Sequence, residues 1–368
     1  MASVAGITAT AAESRVSLES TAGALTQTAA GVIATPSLRA VASTGVALAT
    51  ANNNVQTLAG QTTTNGFAFK NAGGFTVGTV EADGTRLHSE GIAAQTLVDL
   101  QANTSNIAQT AAGGITGASL RAVAPGGVWL ATADDNNVAV IAGQASAGHF
   151  AFKDAVGDLE VGTAGSSAGV SANATTGTVD LQVVAGSLTQ SQAVTGQALR
   201  AQAQNAVTLT LATNDVTKLA GVATTGNFSY RDANAVTVAI VASAQDAPAS
   251  KTVGISTDVT SATIDLQAGT ALGQGLKVGR VPVGLTQAVV TAVQVAPFQF
   301  GFALQLLDEV AVPVQPTDKA LQSQAMAFGL WGQGGELLAR GLDDLAHADT
   351  ALGQVGRQAR AGIGRRQR

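Results

Sequence analysis

The sequence predicts an all-β fold: a parallel β-helix, or solenoid, followed by an irregular, partly helical C-terminal tail. Three observations predict it. One text recurs three times at a spacing of about 80 residues. Within each copy, short runs alternate apolar and polar residues, the mark of strands with one buried face. Turn residues separate these runs about every ten residues and group them into blocks of about twenty, roughly four per copy, a turn length typical of a parallel β-helix.

The middle copy shows the text most clearly. It opens with Leu120-Arg121-Ala122-Val123-Ala124 and passes through Val128-Trp129-Leu130, Asn136-Asn137-Val138 and Phe150-Ala151-Phe152-Lys153-Asp154. It closes with Gly169-Val170 and Val179-Asp180-Leu181-Gln182. The first copy gives the same signals as Leu38-Arg39-Ala40, Val46-Ala47-Leu48, Asn53-Asn54-Val55, Phe67-Ala68-Phe69-Lys70-Asn71, Gly91-Ile92 and Val98-Asp99-Leu100-Gln101. The third reads Leu199-Arg200-Ala201, Val207-Thr208-Leu209, Asn214-Asp215-Val216, Phe228-Ser229-Tyr230-Arg231-Asp232, Gly254-Ile255 and Ile264-Asp265-Leu266-Gln267. The divisions that follow are 1–23, the end of a truncated repeat; 24–103, 104–186 and 187–269, three repeats; and 270–280, the start of a degenerate one.

Each signal has its own reason. Val207-Thr208-Leu209-Thr210-Leu211 and Phe228-Ser229-Tyr230 alternate strictly, so one side of each faces an interior. Ser43-Thr44-Gly45, Asn52-Asn53-Asn54, Thr64-Asn65-Gly66, Ala124-Pro125-Gly126-Gly127 and Thr175-Thr176-Gly177 are turn text. Copies differ by loop insertions, such as residues 245–251, which have no equivalent in the second copy. The pattern stops near Leu276. Residues 281–368 read as unrelated text: an uncharged stretch over 281–307 with a strand at Phe298–Leu306, then two helices over 319–331 and 336–353, then a basic end. The stretch 281–307 is long enough to span a bilayer, but Pro297 and four glutamines argue against a stable membrane span. The opening residues, Gly6-Ile7-Thr8-Ala9, resemble the last rung of a repeat, which reads as a chain cut inside an array.

Composition narrows the function classes. The apolar residues are mostly Ala and Val, and charged residues make up 12% of the chain against the usual share of about 25%. Small and β-branched side chains with 43 glycines suit a narrow, regular β interior. A net charge of −5 supplies no basic surface for nucleic acid. The absence of cysteine removes disulfides, thiolate metal sites and a cysteine nucleophile. Met1-Ala2-Ser3-Val4 has neither the basic nor the apolar region of a signal peptide.

Candidate chemistry is sparse. Gly165-Ser166-Ser167-Ala168-Gly169 has the G-x-S-x-G spacing of a nucleophile elbow, but the text after it is a strand and no histidine lies near in sequence, so a small-residue turn is expected. His88, His149 and His347 share no metal-ligand spacing, and His149 reads as a surface residue just before Phe150. Asp99, Asp180 and Asp265 recur at one repeat position, and Arg39, Arg121 and Arg200 at another; both read as solvated, outward strand positions, too far from their own equivalents for paired acid–base work. The aromatic pairs Phe67/Phe69, Phe150/Phe152 and Phe228/Tyr230 read as core rather than as a glycan-stacking stripe. There is no P-loop and no G-G-x-G-x-D calcium repeat. The reading assigns no catalytic, cofactor-binding or metal-binding residue.

The cadence Ser187-Leu188-Thr189-Gln190, Leu199-Arg200-Ala201, Val207-Thr208-Leu209, Asn214-Asp215-Val216, Leu219-Ala220-Gly221 resembles filamentous haemagglutinin-like adhesins, the large exoproteins of two-partner secretion. So does Gly226-Asn227-Phe228-Ser229-Tyr230-Arg231-Asp232, followed by Gly254-Ile255-Ser256-Thr257 and Ile264-Asp265-Leu266-Gln267. The resemblance covers about residues 1–275. It implies a right-handed parallel β-helix that forms a filament, exported through an outer-membrane secretion partner and displayed at, or shed from, a bacterial surface, where host glycan or protein receptors are the expected contacts. The family's Asn-Pro-containing secretion signature has no counterpart in this chain. The expectation is a non-catalytic stalk segment of a surface adhesin. Two other readings stand beside it: a β-helical carbohydrate-binding module or polysaccharide-acting enzyme, and a truncated gene remnant.

Overall fold

A computed structural model describes residues 6–82, 88–245 and 250–269, together with the backbone of Leu272–Gly273. These residues form an all-β solenoid. One sheet of 26 strands runs through them, and every pairing within it is parallel. Three two-stranded antiparallel hairpins stand outside it. Among the described residues no helix is long and apolar enough to cross a membrane. The strand, helices and apolar stretch expected beyond residue 280 lie outside the described residues.

The register can be followed turn by turn. Ser37 pairs with Thr57, Thr57 with Thr76, Thr76 with Ala108, Ala108 with Trp129, Trp129 with Ala151, Ala151 with Asp180, and Asp180 with Arg200. Seven steps thus carry the chain from residue 37 to residue 200, about 23 residues per turn. Arg39 and Arg200, two repeats apart, lie within two residues of the same column. Each repeat therefore makes about three and a half turns, not four of twenty residues, and equivalent residues of successive copies fall on alternate faces. The extra length per turn comes from the hairpins, one in each repeat.

The alternation in the sequence is the alternation of faces. Phe67–Asn71 and Phe228–Asp232 bury their first, third and fifth residues, and Val46, Phe67, Val98 and Leu120 stack inside on successive turns. All six residues of the aromatic pairs are buried, with Phe69 packed edge-on against Phe75 at 5.2 Å between ring centres. Such stacking removes apolar surface from water at roughly 25 cal/mol per Å². The core is a continuous column because every turn repeats the last.

Each hairpin interrupts a strand at the same place. In the first repeat Phe75–Val77 pairs with the turn below, the hairpin Thr79–Val80/Ser89–Glu90 leaves, and Ile92–Ala93 resumes the same ladder. The second hairpin is Thr163–Ala164/Ser167–Ala168 and the third Ile240–Ala242/Lys251–Val253. The chain re-enters through Gly91, Gly169 and Gly254, with φ of 62°, 75° and 67°, a left-handed backbone that only glycine adopts freely. Across the gap lie Leu58-Ala59-Gly60, Ile141-Ala142-Gly143 and Leu219-Ala220-Gly221. Gly60, Gly143 and Gly221 donate their N–H to the carbonyls of Gly91, Gly169 and Gly254, at 2.9 Å each. A Cβ at Gly60 or Gly143 would sit 2.0 Å from a carbonyl oxygen of the turn below. One excursion has been built three times.

Candidate functional site

The hairpins fold back over the outside of the coil and close on a recurring charged cluster. Arg39 directly underlies Ala59, Arg121 underlies Ala142, and Arg200 underlies Ala220, the residues over which the hairpins leave. The arginine Nε donates to a hydroxyl on the returning hairpin strand each time: Ser89 at 3.0 Å, Ser167 at 2.9 Å and Thr252 at 2.8 Å. The NH1 group of each arginine binds a carboxylate one turn down: Glu19 at 2.8 Å, Asp99 at 2.7 Å and Asp180 at 2.8 Å. Ala59, Ala142 and Ala220 are fully buried between arginine and hairpin, and a larger side chain there would hold the hairpin off the coil.

For Arg39, Arg121, Arg200, Asp99 and Asp180 this corrects the expectation of solvated positions, whereas Asp265 stays partly exposed. They do point away from the core, but Asp99 registers with Arg121 and Asp180 with Arg200 on adjacent turns, and the hairpins cover them. Arg39, Arg200 and Asp180 are buried. In the first repeat Ser17 stands where aspartate is expected beside Arg39, and Glu19, two residues on, supplies the charge. The third cluster is the most enclosed. Ser243 Oγ and the Ala244 N–H both donate to Asp180 Oδ2, and Gln245 reaches further down the same face to the Trp129 carbonyl and the Thr132 hydroxyl.

A second polar row runs inside the coil. The turn expected at Asn52-Asn53-Asn54 is instead part of one strand, Val46–Thr62, whose register shifts between Leu48 and Asn53 and turns Asn53 inward. Asn53, Asn136 and Asn214 are fully buried. In each amide the oxygen accepts twice and both N–H groups of the nitrogen are engaged, its full capacity. Asn136 Nδ2 donates to the Leu130 and Lys153 carbonyls, and Oδ1 accepts from the Ile115 N–H and from Gln109 Nε2. Asn53 and Asn214 repeat this set with Gln27 and Gln190. One turn on, Asn71, Asp154 and Asp232 accept the N–H of Val55, Val138 and Val216. These bonds satisfy backbone groups at the corners of the coil. The recurrence of Asn was visible in the sequence; its inward direction was not.

The remaining candidates separate. Ser167 of the G-x-S-x-G spacing lies on the second hairpin with no helix after it, and its hydroxyl accepts from Arg121. The tip residue Gly165, at φ 55°, makes the turn. His149 is half-buried rather than freely exposed; its ring lies 5.5 Å from that of Trp129, Nδ1 accepts the Thr178 N–H, and burial lowers its pKa. His88 is exposed beside Glu90, and His347 lies outside the described residues. Asp265, the third aspartate, is accompanied by Gln267. Lys153 bonds Asp134 on the outside and lowers its pKa. Among the described residues, no three histidine or carboxylate side chains are placed to hold a metal ion.

Compared with protein-family models, with curated proteins and with solved structures, the chain matches none.

Proposed function

We propose that residues 24–269 are a structural stalk segment of a bacterial surface-exposed or secreted adhesin, without catalysis of their own. The observation that carries this reading is the continuity of the ladder, in which partners follow one another from Ile7 to Gly273 across all three repeats. A coil of this kind extends by adding turns, and each turn contacts only its neighbours. The polar groups that recur along it are engaged with the coil itself: arginine with carboxylate and hairpin hydroxyl, asparagine with backbone. The repeat cadence, similar to that of filamentous haemagglutinin-like adhesins, supports export through an outer-membrane partner and placement of a receptor-binding tip at a distance. The carbohydrate-module reading draws less support, since the aromatic pairs lie inside and the recurring Arg and Asp groups are consumed in pairs.

Antibodies raised against residues 24–269 test the proposal on intact cells of the source bacterium. Labelling of surface or shed material, removed by external protease, is the expected result. Antigen confined to the cytoplasm of intact cells overturns it. Turnover of bacterial or plant polysaccharides by the purified chain favours the enzyme reading instead.

A further inference from the structure

The three copies differ at one interior position, and the difference leaves a buried oxygen without a partner. Asn71, Asp154 and Asp232 occupy equivalent corners and are each at most 1% exposed. Asn71 uses its amide fully: Oδ1 accepts the Val55 N–H, and Nδ2 donates to the Val55 and Gly74 carbonyls. Asp232 has no amide to donate, but Tyr230, two residues before it, places its hydroxyl 2.6 Å from Oδ2, and the Asn234 N–H binds Oδ1. Asp154 has neither an amide nor a tyrosine hydroxyl beside it. Its Oδ1 accepts the Val138 N–H at 2.9 Å, Phe152 stands where Tyr230 stands, and Oδ2 is buried with no hydrogen-bond partner.

The surroundings offer no countercharge. The strands packed on Phe150–Asp154 are Gly127–Leu130, Asn137–Ala145, Val170–Ala172 and Thr178–Val183, and Leu159–Val161 follows it in the chain. Their charged residues are Glu160 and Asp180, both on outward positions, with Asp180 bound to Arg200. On the same strand Lys153 points outward to Asp134, and in the neighbouring loops Asp135 and Asp158 are exposed. His149, just before the strand, accepts from Thr178. Among the described residues no cation faces the inner side of Asp154.

We propose that Asp154 is a pH-sensitive point in the solenoid: the folded coil carries it as the neutral acid, whose O–H takes the donor role of the Asn71 amide, and its ionisation loosens the second repeat. Burial raises its pKa from the ordinary carboxylate value to about 6, against the weaker opposing pull of the backbone N–H groups of Val138 and Val156. The sign follows from linkage. A carboxyl whose folded pKa lies above its unfolded value favours folding fully at low pH and loses that contribution as pH rises through about 4 to 6. Above that window the folded state carries an unpaired buried charge.

The test compares thermal or denaturant unfolding of the full chain with Asp154→Asn from pH 4.5 to pH 7.5. Other carboxylates titrate in both proteins and cancel in the difference. The asparagine variant should gain on wild type as pH rises, by tenfold to about a hundredfold in the folded-to-unfolded ratio across the range. A gap that is the same at both ends overturns the proposal. Two further variants keep the test decisive if Asp154→Asn folds poorly. Phe152→Tyr, which supplies the hydroxyl that Asp232 has, should shift the pH-dependent step to lower pH. Asn71→Asp should add a second such step in the first repeat. Failure of both to move the pH profile also overturns it.

Discussion

The second and third charged clusters share the same parts and differ in how far the hairpin reaches. The short second hairpin lays Ser167 on Arg121 and leaves the Arg121 and Asp99 side chains 12% and 18% exposed. The longer third hairpin adds Ser243 and Ala244 over the carboxylate and brings the Arg200–Asp180 pair to 6% and 0%. The first cluster shows that length alone is not enough: its hairpin, Thr79–Val80/Ser89–Glu90, is longer than the second, yet Glu19 is 46% exposed. One ion pair in three settings shows what an insertion does to a solenoid. It does not only leave the coil; it sets the dielectric around a charge pair on the coil's outer face. An enclosed pair interacts strongly, yet it is costly to break because the surviving charge has no water to turn to.

The contrast can be broken in graded steps. Arg200→Ala strands Asp180 in a dry site and should destabilise the fold by about 3–5 kcal/mol, the usual cost of removing one partner of a buried pair. Denaturant titration measures it, and replacing both Arg200 and Asp180 by leucine should recover much of the loss. Gly143→Ala probes the base of the second hairpin. Its Cβ would meet the Ala122 carbonyl at 2.0 Å and the Phe150 ring at 2.9 Å, so a loss of about 1–3 kcal/mol is expected from overpacking, read as a lower Tm. Arg121→Ala should cost about 1–2 kcal/mol, less than Arg200→Ala, because Asp99 keeps contact with water. Glu19→Gln is the smallest, within about 1 kcal/mol, and its effect should shrink in high salt while that of Arg200→Ala persists. If Arg121→Ala costs as much as Arg200→Ala, the cover that a hairpin places on the carboxylate does not set the strength of the pair.

Much of this was legible in residue order. The parallel coil follows from three copies of alternating text, and the inward direction of Phe67, Phe69, Phe150 and Phe152 follows from the same period of two. The charged clusters were half visible. Arg121 and Asp99 stand about one turn apart in the sequence, yet comparing each residue only with its own equivalents, about 80 residues away, hides the neighbour it meets. Of the hairpins only the third was visible, as an insertion over 245–251, because nothing local to residues 163–168 says that Ser167 will fold back onto Arg121. The inward Asn row was visible as a recurrence without a direction, since Asn favours turns outside and corners inside by the same ability to bind backbone.

The sequence by itself determined the period, the strands and which side of each strand is apolar, because these depend on spacing along the chain alone. Only the tertiary structure decided which turn lies on which, and with it that Asp180 meets Arg200, that a hairpin seals them, and that Asp154 alone of its three equivalents buries an oxygen without a partner. Those outcomes depend on the number of residues wound into each turn. Inserting a hairpin changes that number without changing the pattern around it.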